Sequence, residues 1–306
     1  MRDVGDPRLS KGLNALSVGG SAFISRLAVN NFSVVKILAQ TGELRCVGPL
    51  WGTYWVNRNY SAAGFGRGAI VGAARAAPHY AITFGVYDAI TKSIVRKKDW
   101  RPDFNSLQGI YIAGFAGGAT ATLVTHPLDV IKVRLINQPK GNTYYKNGMD
   151  AFGKILGREG LYRGLYKGLA ISVVGSGVFW AECMALWDLG DSLPWRNRGR
   201  ELVWFEWLVW PIAATAAATV ITHPIDVVRR KFMAQSLLLP HEGGTDVKFR
   251  GYWQLVRNIY RTSFVWGFYS GLATNVIKTA PQVAIFWAVY RMSQDSFLSA
   301  LGTQKM

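Results

Sequence analysis

The sequence predicts an all-α membrane protein built from three tandem copies of a pair of transmembrane helices. Long apolar stretches, separated by basic connections, are the first observation behind this prediction; they include residues 109–124, 202–221 and 272–289. Each stretch approaches the roughly 20 residues that a helix needs to cross the hydrocarbon core of a bilayer. An internal repeat with a period of about one hundred residues is the second observation.

The apolar stretches favour a membrane protein over a soluble helical protein with buried helices, because they are long and numerous. The mean hydropathy of the whole chain is modest, at +0.11. Glycine, alanine, serine and threonine lower this value, and small residues of this kind let transmembrane helices pack closely. A packed bundle of membrane helices therefore accounts for both the length and the polarity of these stretches.

The formal net charge is +17, and the basic residues lie mostly between the apolar stretches, as in residues 92–101 and 196–200. Cations beside a membrane favour anionic lipid head groups, so membrane lipids are expected partners. No nucleic-acid-binding motif accompanies the charge, and nucleic acid is therefore not expected as a partner. The cations occur at both ends of the stretches, so they do not set the orientation.

The cysteines and the N-terminal residues give two further expectations. Cys46 and Cys183 are too few for a disulfide framework. The first twelve residues lack the apolar core of a secretory signal, and they include Asp3 and Asp6, which a transit peptide usually avoids. Any import signal is therefore expected to be internal.

The repeat divides the chain into three units of roughly residues 10–100, 101–200 and 201–300, within a single domain. The segment THPLDVIKVRL starting at Thr125 recurs as THPIDVVRRKF starting at Thr222, and VNNFSVVKILAQ from Val29 is a weaker copy. A second repeated segment follows in each unit and aligns without a gap from Arg67-Gly68, Lys167-Gly168 and Ser270-Gly271. Each unit thus reads as helix, connection, helix.

Short amphipathic segments lie in the connections. Residues 147–157 place apolar side chains at helical spacing, and residues 252–260 are their counterpart in the third unit; residues 51–60 are a less regular counterpart in the first. Such segments predict short helices that lie along the membrane surface.

One motif gives the chain a family resemblance. Pro127-x-Asp129-x-x-Lys132-x-Arg134, followed by Glu159-Gly160 and Tyr166-Lys167-Gly168, resembles the signature of the mitochondrial carrier family. The match covers essentially the whole chain. It implies a six-helix bundle with short matrix surface helices, a multi-pass location in the mitochondrial inner membrane, and bound cardiolipin as an expected lipid. No catalytic motif or metal-ligand set is evident, so neither an enzyme nor a metal protein is expected.

The resemblance also implies a gate at the matrix side. Proline removes one helical hydrogen bond and bends a helix, which is the role expected for Pro127 and Pro224. An acid and a base three residues later lie on one helix face. In the family the acid of one helix pairs with the base of the next. The expected gate pairs are therefore Asp129 with Arg229 and Asp226 with Lys36. Lys132 is expected to lack its acid, because Asn31 and Ser33 replace the proline and the acid in the first unit.

The gate at the opposite side lacks its usual residues. The family places an acid, and then a base three residues on, near the ends of the second helices. This chain has Asp88 with Thr91, Asp188 with Asp191, and Arg291 with Gln294 at those positions. The usual pairs are therefore not expected, and Lys92, one residue out of register, is the available substitute.

Alignment with the family gives the expected substrate contacts as Arg75, the pair Gly175 and Ser176, and Lys278. Arg26 matches a further basic position of the ADP/ATP carriers. Ionisable residues at membrane depth are usually functional, and three cations around one cavity suit a phosphate-bearing anion. Gly175 is expected to leave room for a flat base, with Phe179 one turn further as a stacking surface.

Two segments favour nucleotide carriers of the ADP/ATP type within the family. The run from Ser25 to Gln40 is similar to the first helix of those carriers, and Arg229-Arg230-Lys231-Phe232-Met233 is similar to their arginine–methionine signature. Lys231 and Phe232 depart from that signature, and lysine lacks the planar fork of arginine. The similarity therefore indicates ancestry more than present specificity.

Several interpretations stay open at this point. Glu182 is expected to face the cavity, where it is an alternative partner for Arg75 and Lys278. His79 is interpreted as a satisfied polar residue, with a proton relay as the alternative. Trp204, Trp207 and Trp210 recur at helical spacing and are interpreted as contacts with lipid or a partner.

Two functions follow. The first is exchange of a nucleotide or another phosphate-bearing anion by alternating access, with a small anionic substrate as partner. The alternative is a carrier fold without transport, serving as an accessory subunit or adaptor of a respiratory or ATP synthase complex. The retained cavity cations favour the first, and the missing gate pairs favour the second. The sequence does not identify the substrate.

Overall fold

The computed structural model describes residues 10–42, 48–60, 62–95, 104–138, 144–192, 204–235 and 249–300. These residues form ten α-helices, which are α1 (Lys11–Ala28), α2 (Asn30–Thr41), α3 (Pro49–Tyr60), α4 (Ala69–Val95), α5 (Phe104–Ile136), α6 (Gly148–Glu159), α7 (Leu169–Ser192), α8 (Trp204–Ala234), α9 (Tyr252–Ser263) and α10 (Leu272–Ala300).

The long helices form a closed ring. α5 packs between α4 and α7, α8 packs between α7 and α10, and α1 packs between α10 and α4. The ring confirms the predicted all-α bundle of six transmembrane elements, in which α1 and α2 together count as one. We call the end of the bundle that carries α3, α6 and α9 the surface-helix end; α2, α5 and α8 finish there, and α4, α7 and α10 begin there.

Three of the described helices are long and apolar enough to cross a membrane by themselves, namely α5, α7 and α8. The bent pair α1 and α2 passes the same test as one broken span. α4 and α10 are of similar length, at 27 and 29 residues. Their lower hydropathy has a local cause, because they turn Arg75, His79 and Lys278 toward the interior of the ring.

The bend of the first unit differs from that of the other two. Pro127 and Pro224 lie inside the continuous helices α5 and α8. In the first unit, where Asn31 replaces the proline, the helix breaks at Val29 and its two parts meet at 67°. The Asn30 side chain donates a hydrogen bond of 2.6 Å to the Phe65 carbonyl beside the break. A side-chain contact thus accompanies the bend where no proline is present.

The surface helices α6 and α9 start in related ways. The Asn147 side chain caps α6 by accepting a hydrogen bond from the Asp150 amide, and the Asp150 carboxylate accepts one from the Lys146 amide. The arrangement resembles a capping box, but the carboxylate accepts from the amide before the N-cap rather than from the N-cap itself. In α9, the Gln254 side chain accepts the corresponding hydrogen bond from the Arg250 amide at 3.0 Å.

The turns after these two helices differ by one residue. Leu161–Leu165 forms a π-helical turn after α6, and Phe264–Tyr269 forms a 3-10 turn after α9. The next tightly packed glycine is Gly164 in one unit and Gly267 in the other, and each approaches an isoleucine of its own surface helix. The additional residue, Arg163, is accommodated by widening the turn, which is how π-turns commonly arise.

Candidate functional site

A central cavity lies inside the ring, and helices from all three units line it. Its lining divides into a basic part toward the surface-helix end and an aromatic part toward the opposite end. The basic part holds seven cations and two carboxylates, which are Arg26, Lys36, Arg75, Lys132, Arg229, Arg230 and Lys278 with Asp129 and Asp226. The cations therefore exceed the acids by five formal charges.

Asp226 ties α2 to α8. Lys36 Nζ lies 2.7 Å from its carboxylate, which is the contact expected between these two residues. Arg229 and Arg230 of the same helix also contact this carboxylate, at 2.6 Å and 3.3 Å. The Gln40 side chain donates a further hydrogen bond of 2.9 Å. One buried acid thus compensates three cations, and the first and third units are joined through it.

The expected pair between Asp129 and Arg229 is not formed. Asp129 instead contacts Arg75 of α4, with Nη2 3.3 Å from Oδ2. Arg229 turns back to Asp226, which lies three residues earlier on its own helix and is therefore on the same helix face. The second unit is consequently joined to α4 rather than to α8 at this level, and a predicted substrate contact, Arg75, is held by a carboxylate.

Three cations of the cavity have no carboxylate within ion-pair distance among the described residues. They are Arg26, Lys132 and Lys278. Lys132 and Lys278 are also buried. For Lys132 the cause is the serine at position 33, which stands where the other two units have an acid. The Lys132 side chain runs along α4 at Gly72, where a Cβ atom would collide with it.

The second predicted substrate contact, the pair Gly175 and Ser176, lines the cavity and also packs α7 against its neighbours. A Cβ atom at Gly175 would lie 2.8 Å from Ile225 Cγ2, so glycine is needed here for the approach of α7 to α8. Gly175 also lines the cavity, where its role in leaving room for a base or ribose stays a prediction. The Ser176 hydroxyl donates to the Gly118 carbonyl at 3.2 Å and so joins α7 to α5. Phe179 lines the cavity, as expected for a stacking surface.

Aromatic rings from α4, α7 and α10 form the other part of the cavity. Tyr80 contacts Trp180 and Phe286, with ring centroids 5.2 Å and 5.5 Å apart. Phe84 stacks on Trp187 at 6.5 Å. These rings are not part of the family motif and were not predicted as site residues. The repeat carries a signal for them, because Tyr80 aligns with Trp180, and Tyr87 with Trp187 and Tyr290.

His79 joins the two parts of the cavity. The Trp180 ring N–H donates to His79 Nε2 at 3.2 Å, so this nitrogen carries no proton. His79 Nδ1 lies 3.1 Å from the Thr125 hydroxyl, which itself donates to the Ala121 carbonyl. The ring is therefore a neutral imidazole that donates through Nδ1 and accepts through Nε2. This arrangement agrees with the interpretation of His79 as a satisfied polar residue.

The two histidines before the prolines bond to the backbone. His126 Nε2 lies 3.0 Å from the Lys167 carbonyl, and His223 Nε2 lies 3.0 Å from the Ser270 carbonyl. Both contacts join a proline-containing helix to the start of the next long helix. Across the described ranges, histidine, cysteine and acidic residues form no group that could hold a metal ion.

Arg134 and Glu159 of the signature also have structural roles. Their side chains meet at 2.7 Å and are almost completely buried. Arg134 donates in addition to the carbonyl groups of Met233 and Gln235. Because a buried arginine with acceptors on several elements fixes those elements together, this cluster joins α5 and α6 to the end of α8.

The end opposite the surface helices carries a different kind of contact. Asp88 pairs with Lys92 at 2.7 Å along α4, and both side chains are exposed. Lys92 therefore contacts the acid of its own helix in this structure. The Gln294 side chain donates to Asn14 at 3.1 Å and thereby links α10 to α1. The side chain of Asp191 lies outside the described residues.

The tryptophans of α8 are placed only in part. The side chains of Trp204 and Trp207 lie outside the described residues. The Trp210 ring N–H donates to the Leu186 carbonyl at 2.9 Å, and the ring packs against α7 at Gly190. The polar edge of Trp210 is thus engaged within the bundle, and a contact of its partly exposed ring with lipid or a partner stays a prediction.

The ring of six membrane elements, the threefold repeat and the basic cavity define a multi-pass carrier. The sequence pattern of the family described as "Mitochondrial carrier protein" matches residues 105–193 and 201–301. The chain belongs to the mitochondrial carrier family, whose members are multi-pass proteins of the inner membrane. The matched residues cover the second and third units.

Named relatives support the same family. "Solute carrier family 25 member 43" of Danio rerio is 30% identical over 291 residues, which are 95% of this chain and 83% of the relative. "ADP/ATP translocase 2" of Bos taurus is 26% identical over 287 residues, covering 89% of this chain and 93% of the relative. "Nicotinamide adenine dinucleotide transporter 2, mitochondrial" of Arabidopsis thaliana is 28% identical over 223 residues, covering 70% of this chain and 58% of the relative.

Proposed function

We propose that this carrier exchanges a nucleotide or another phosphate-bearing anion across the inner membrane by alternating access. The observation that carries the proposal is the set of three cavity cations, Arg26, Lys132 and Lys278, that no described carboxylate pairs. Charged groups at membrane depth are costly, and an anionic substrate would compensate them. Phosphate oxygens suit both arginine and lysine as partners.

The aromatic part of the cavity supports a substrate with a flat ring. Tyr80 contacts both Trp180 and Phe286, and all three rings line the same cavity as the basic part. Rings of this kind stack on bases through offset or edge-to-face contacts. A nucleotide would place its phosphates among the cations and its base against the rings. Two of the relatives are named as transporters of such compounds, nicotinamide adenine dinucleotide and ADP/ATP.

Release toward the matrix would require the Lys36–Asp226 contact to open. Substrate phosphate and the Asp129 carboxylate would compete for Arg75, because Asp129 lies 3.3 Å from the Arg75 guanidinium. Substrate binding thereby loosens the connection between α4 and α5. This competition offers a route from binding to the helix movements of alternating access.

Exchange in proteoliposomes tests the proposal. Vesicles loaded with ADP or nicotinamide adenine dinucleotide are assayed for uptake of the labelled compound. Lys278→Gln keeps a polar side chain of similar reach and removes the charge. Since a hydrogen bond to a charged group contributes ~1.5–3 kcal/mol, we expect exchange to fall by one to two orders of magnitude.

Lys92→Gln is the matched control, because Lys92 is exposed and lies far along α4 from the basic part. It should leave exchange within a factor of about two, as expected for a surface ion pair. Equal exchange by the wild-type chain and by Lys278→Gln would contradict the proposed site. The named relatives are carriers, translocases or transporters, and nothing in the described residues adds support to the accessory-subunit alternative.

A further inference from the structure

Glu182 lies on the outward face of α7. It follows Val174 by eight residues and precedes Leu189 by seven, and these two side chains are 49% and 44% exposed. At 3.6 residues per turn, Glu182 lies within about 20° of Leu189 and about 80° from Val174. Gly175, seven residues before Glu182, lies at the edge of the cavity against α8, so Glu182 lies on the flank of α7 between that edge and the exposed face. Phe179, Trp180 and Cys183 line the cavity, and Glu182 is not among the lining residues. The expectation that Glu182 faces the cavity was therefore wrong.

The repeat shows what this outward position normally holds. The gapless alignment of the second helices matches Glu182 with Ile82 and Ile285. Both isoleucines are half-buried, as is Glu182. Two of the three units thus fill the site with a branched aliphatic side chain that suits acyl chains. Packing alone does not account for a carboxyl group there.

The surroundings of Glu182 offer no counter-ion. Its Oε2 atom is buried and has no hydrogen-bond partner among the described residues. The neighbouring titratable groups are Tyr111 of α5, whose side chain is 39% exposed, and the buried Cys183 thiol. In the parts of α5, α7 and α8 that surround it, residues 107–125, 169–187 and 208–222, the sequence contains no lysine, arginine or histidine.

An ionised carboxylate in this position would be far more costly than a neutral acid, since hydrocarbon solvates no isolated charge. We propose that Glu182 is a proton-binding site on the bilayer-facing side of α7, where it remains a neutral carboxylic acid at neutral pH beside the acyl chains. The site lies on the side of α7 that faces away from the cavity. Protonation of Glu182 is therefore separate from substrate binding, and this proposal does not rest on the proposed function.

Two carbodiimides of different solubility test the site. The chain is reconstituted in phosphatidylcholine vesicles at neutral pH and treated either with the lipophilic dicyclohexylcarbodiimide or with a water-soluble carbodiimide. A carboxylic acid transfers its proton to a carbodiimide nitrogen while its oxygen adds to the central carbon, and the product rearranges to a stable N-acylurea. Peptide mass mapping then locates each adduct.

We expect dicyclohexylcarbodiimide to modify Glu182, and the water-soluble reagent to leave it at least about tenfold less modified. Asp88 is the matched control, because its exposed carboxyl at the end of α4 should show the opposite preference. Glu182→Gln should abolish the lipophilic adduct while leaving the unfolding temperature and nucleotide exchange unchanged. Modification of Glu182 by the water-soluble reagent as readily as Asp88 would overturn the proposal.

Two further outcomes would also overturn it: the absence of a dicyclohexylcarbodiimide adduct at Glu182, or an adduct that forms only in acidic buffer, which would mean that the group is ionised at neutral pH. If Lys278→Gln leaves exchange unchanged while dicyclohexylcarbodiimide still modifies Glu182, the proposed transport site fails and this proposal stands. Failure of the two proposals is therefore distinguishable.

Discussion

The first unit of the carrier and its two companions reach a similar bent helix by different means. In the second and third units a proline stands within a continuous helix, and an acid follows two residues later. In the first unit Asn31 and Ser33 occupy these positions, and the helix breaks at Val29 with a bend of 67°. The first helix of this unit is therefore bent without a proline, whereas the ion pair with Lys132 does not form without the acid.

The missing acid has a consequence inside the cavity. Asp226 is satisfied by Lys36, a base of the first unit. Lys132 is the base that a first-unit acid would satisfy, and it has no carboxylate within ion-pair distance among the described residues. A cation that would close the gate in a symmetrical carrier thereby lines the cavity without an acid. The asymmetry between the units is thus the source of part of the positive charge of the cavity.

The largest loss of stability is expected from replacing Asp226, the buried acid that joins the first and third units. Asp226→Asn leaves Lys36, Arg229 and Arg230 without their carboxylate in a buried site. Removing one partner of a buried ion pair costs about 3–5 kcal/mol. The unfolding temperature of the purified protein should fall by several degrees or more.

Asp88→Asn is the control for this change, because the Asp88–Lys92 pair is exposed and a pair of this kind contributes only ~0–1 kcal/mol. Equal losses in the two variants would mean that Asp226 does not carry the connection between the units.

A smaller effect, on exchange rather than on stability, is expected from restoring an acid at position 33 of the first unit. Ser33 is buried and lines the cavity, so Ser33→Asp would place a carboxylate where it can pair with Lys132. We expect nucleotide exchange to fall by about tenfold, equivalent to roughly 1.4 kcal/mol, with little change in the unfolding temperature.

Ser33→Asn has nearly the same shape without the charge and is the control for Ser33→Asp. If the two variants reduce exchange equally, the loss reflects size rather than pairing with Lys132.

Restoring the proline should have a still smaller effect. Asn31 lies in the first turn of α2, where a missing backbone N–H is tolerated. We therefore expect Asn31→Pro to change the free energy of unfolding by less than about 1 kcal/mol.

Ala39→Pro, in the interior of α2, should by contrast cost ~3 kcal/mol or more. Thermal unfolding of the two variants side by side measures the difference. A severe loss with Asn31→Pro would mean that the break at Val29 depends on Asn31 itself.

The smallest effect concerns the surface helices. The pKa of Asp150 lies below its ordinary value of 3.8, because the Lys146 amide and then the Lys154 ammonium donate hydrogen bonds to the carboxylate. A depressed pKa contributes stability above the unfolded value, and that stability is lost as the pH falls through the folded value. Amide hydrogen exchange at Lys146, corrected for intrinsic rates, should therefore lose protection below pH ~4.

Arg250 in α9 is the internal control for this measurement, because Gln254 accepts from its amide and does not titrate. Loss of protection at Arg250 in the same acidic range would show that the whole surface is unfolding rather than the α6 cap alone.

Most of the fold could be predicted from the sequence because its signals are redundant. The repeat, the apolar stretches and the signature at Pro127 and Asp129 each indicate the same bundle. The sequence also locates the cavity cations, since a motif fixes the helix face on which a base stands. The serine at position 33 predicts that Lys132 lacks its usual acidic partner. Among the described residues, no carboxylate lies within ion-pair distance of Lys132.

The errors concern choices that a motif does not determine. Arg229 can reach a carboxylate on its own helix or on the next one, and in the structure it contacts Asp226. The spacing that defines the motif is the same in both cases, so the side-chain conformation of Arg229 determines which carboxylate it contacts. Gly175 lines the cavity as expected, and its close approach to Ile225 is a second constraint that the motif does not show. Glu182 was expected to line the cavity, and it is not among the lining residues.

The most direct test of the central claim is the thermal stabilisation of the purified carrier by nucleotides. A ligand that binds only the folded state raises its stability in proportion to the logarithm of its concentration above Kd. We predict that ADP or nicotinamide adenine dinucleotide raises the unfolding temperature of the wild-type protein, and that Lys278→Gln and Ser33→Asp reduce this shift. The account would be contradicted if neither compound shifted the wild-type protein, or if both variants shifted as far as the wild type.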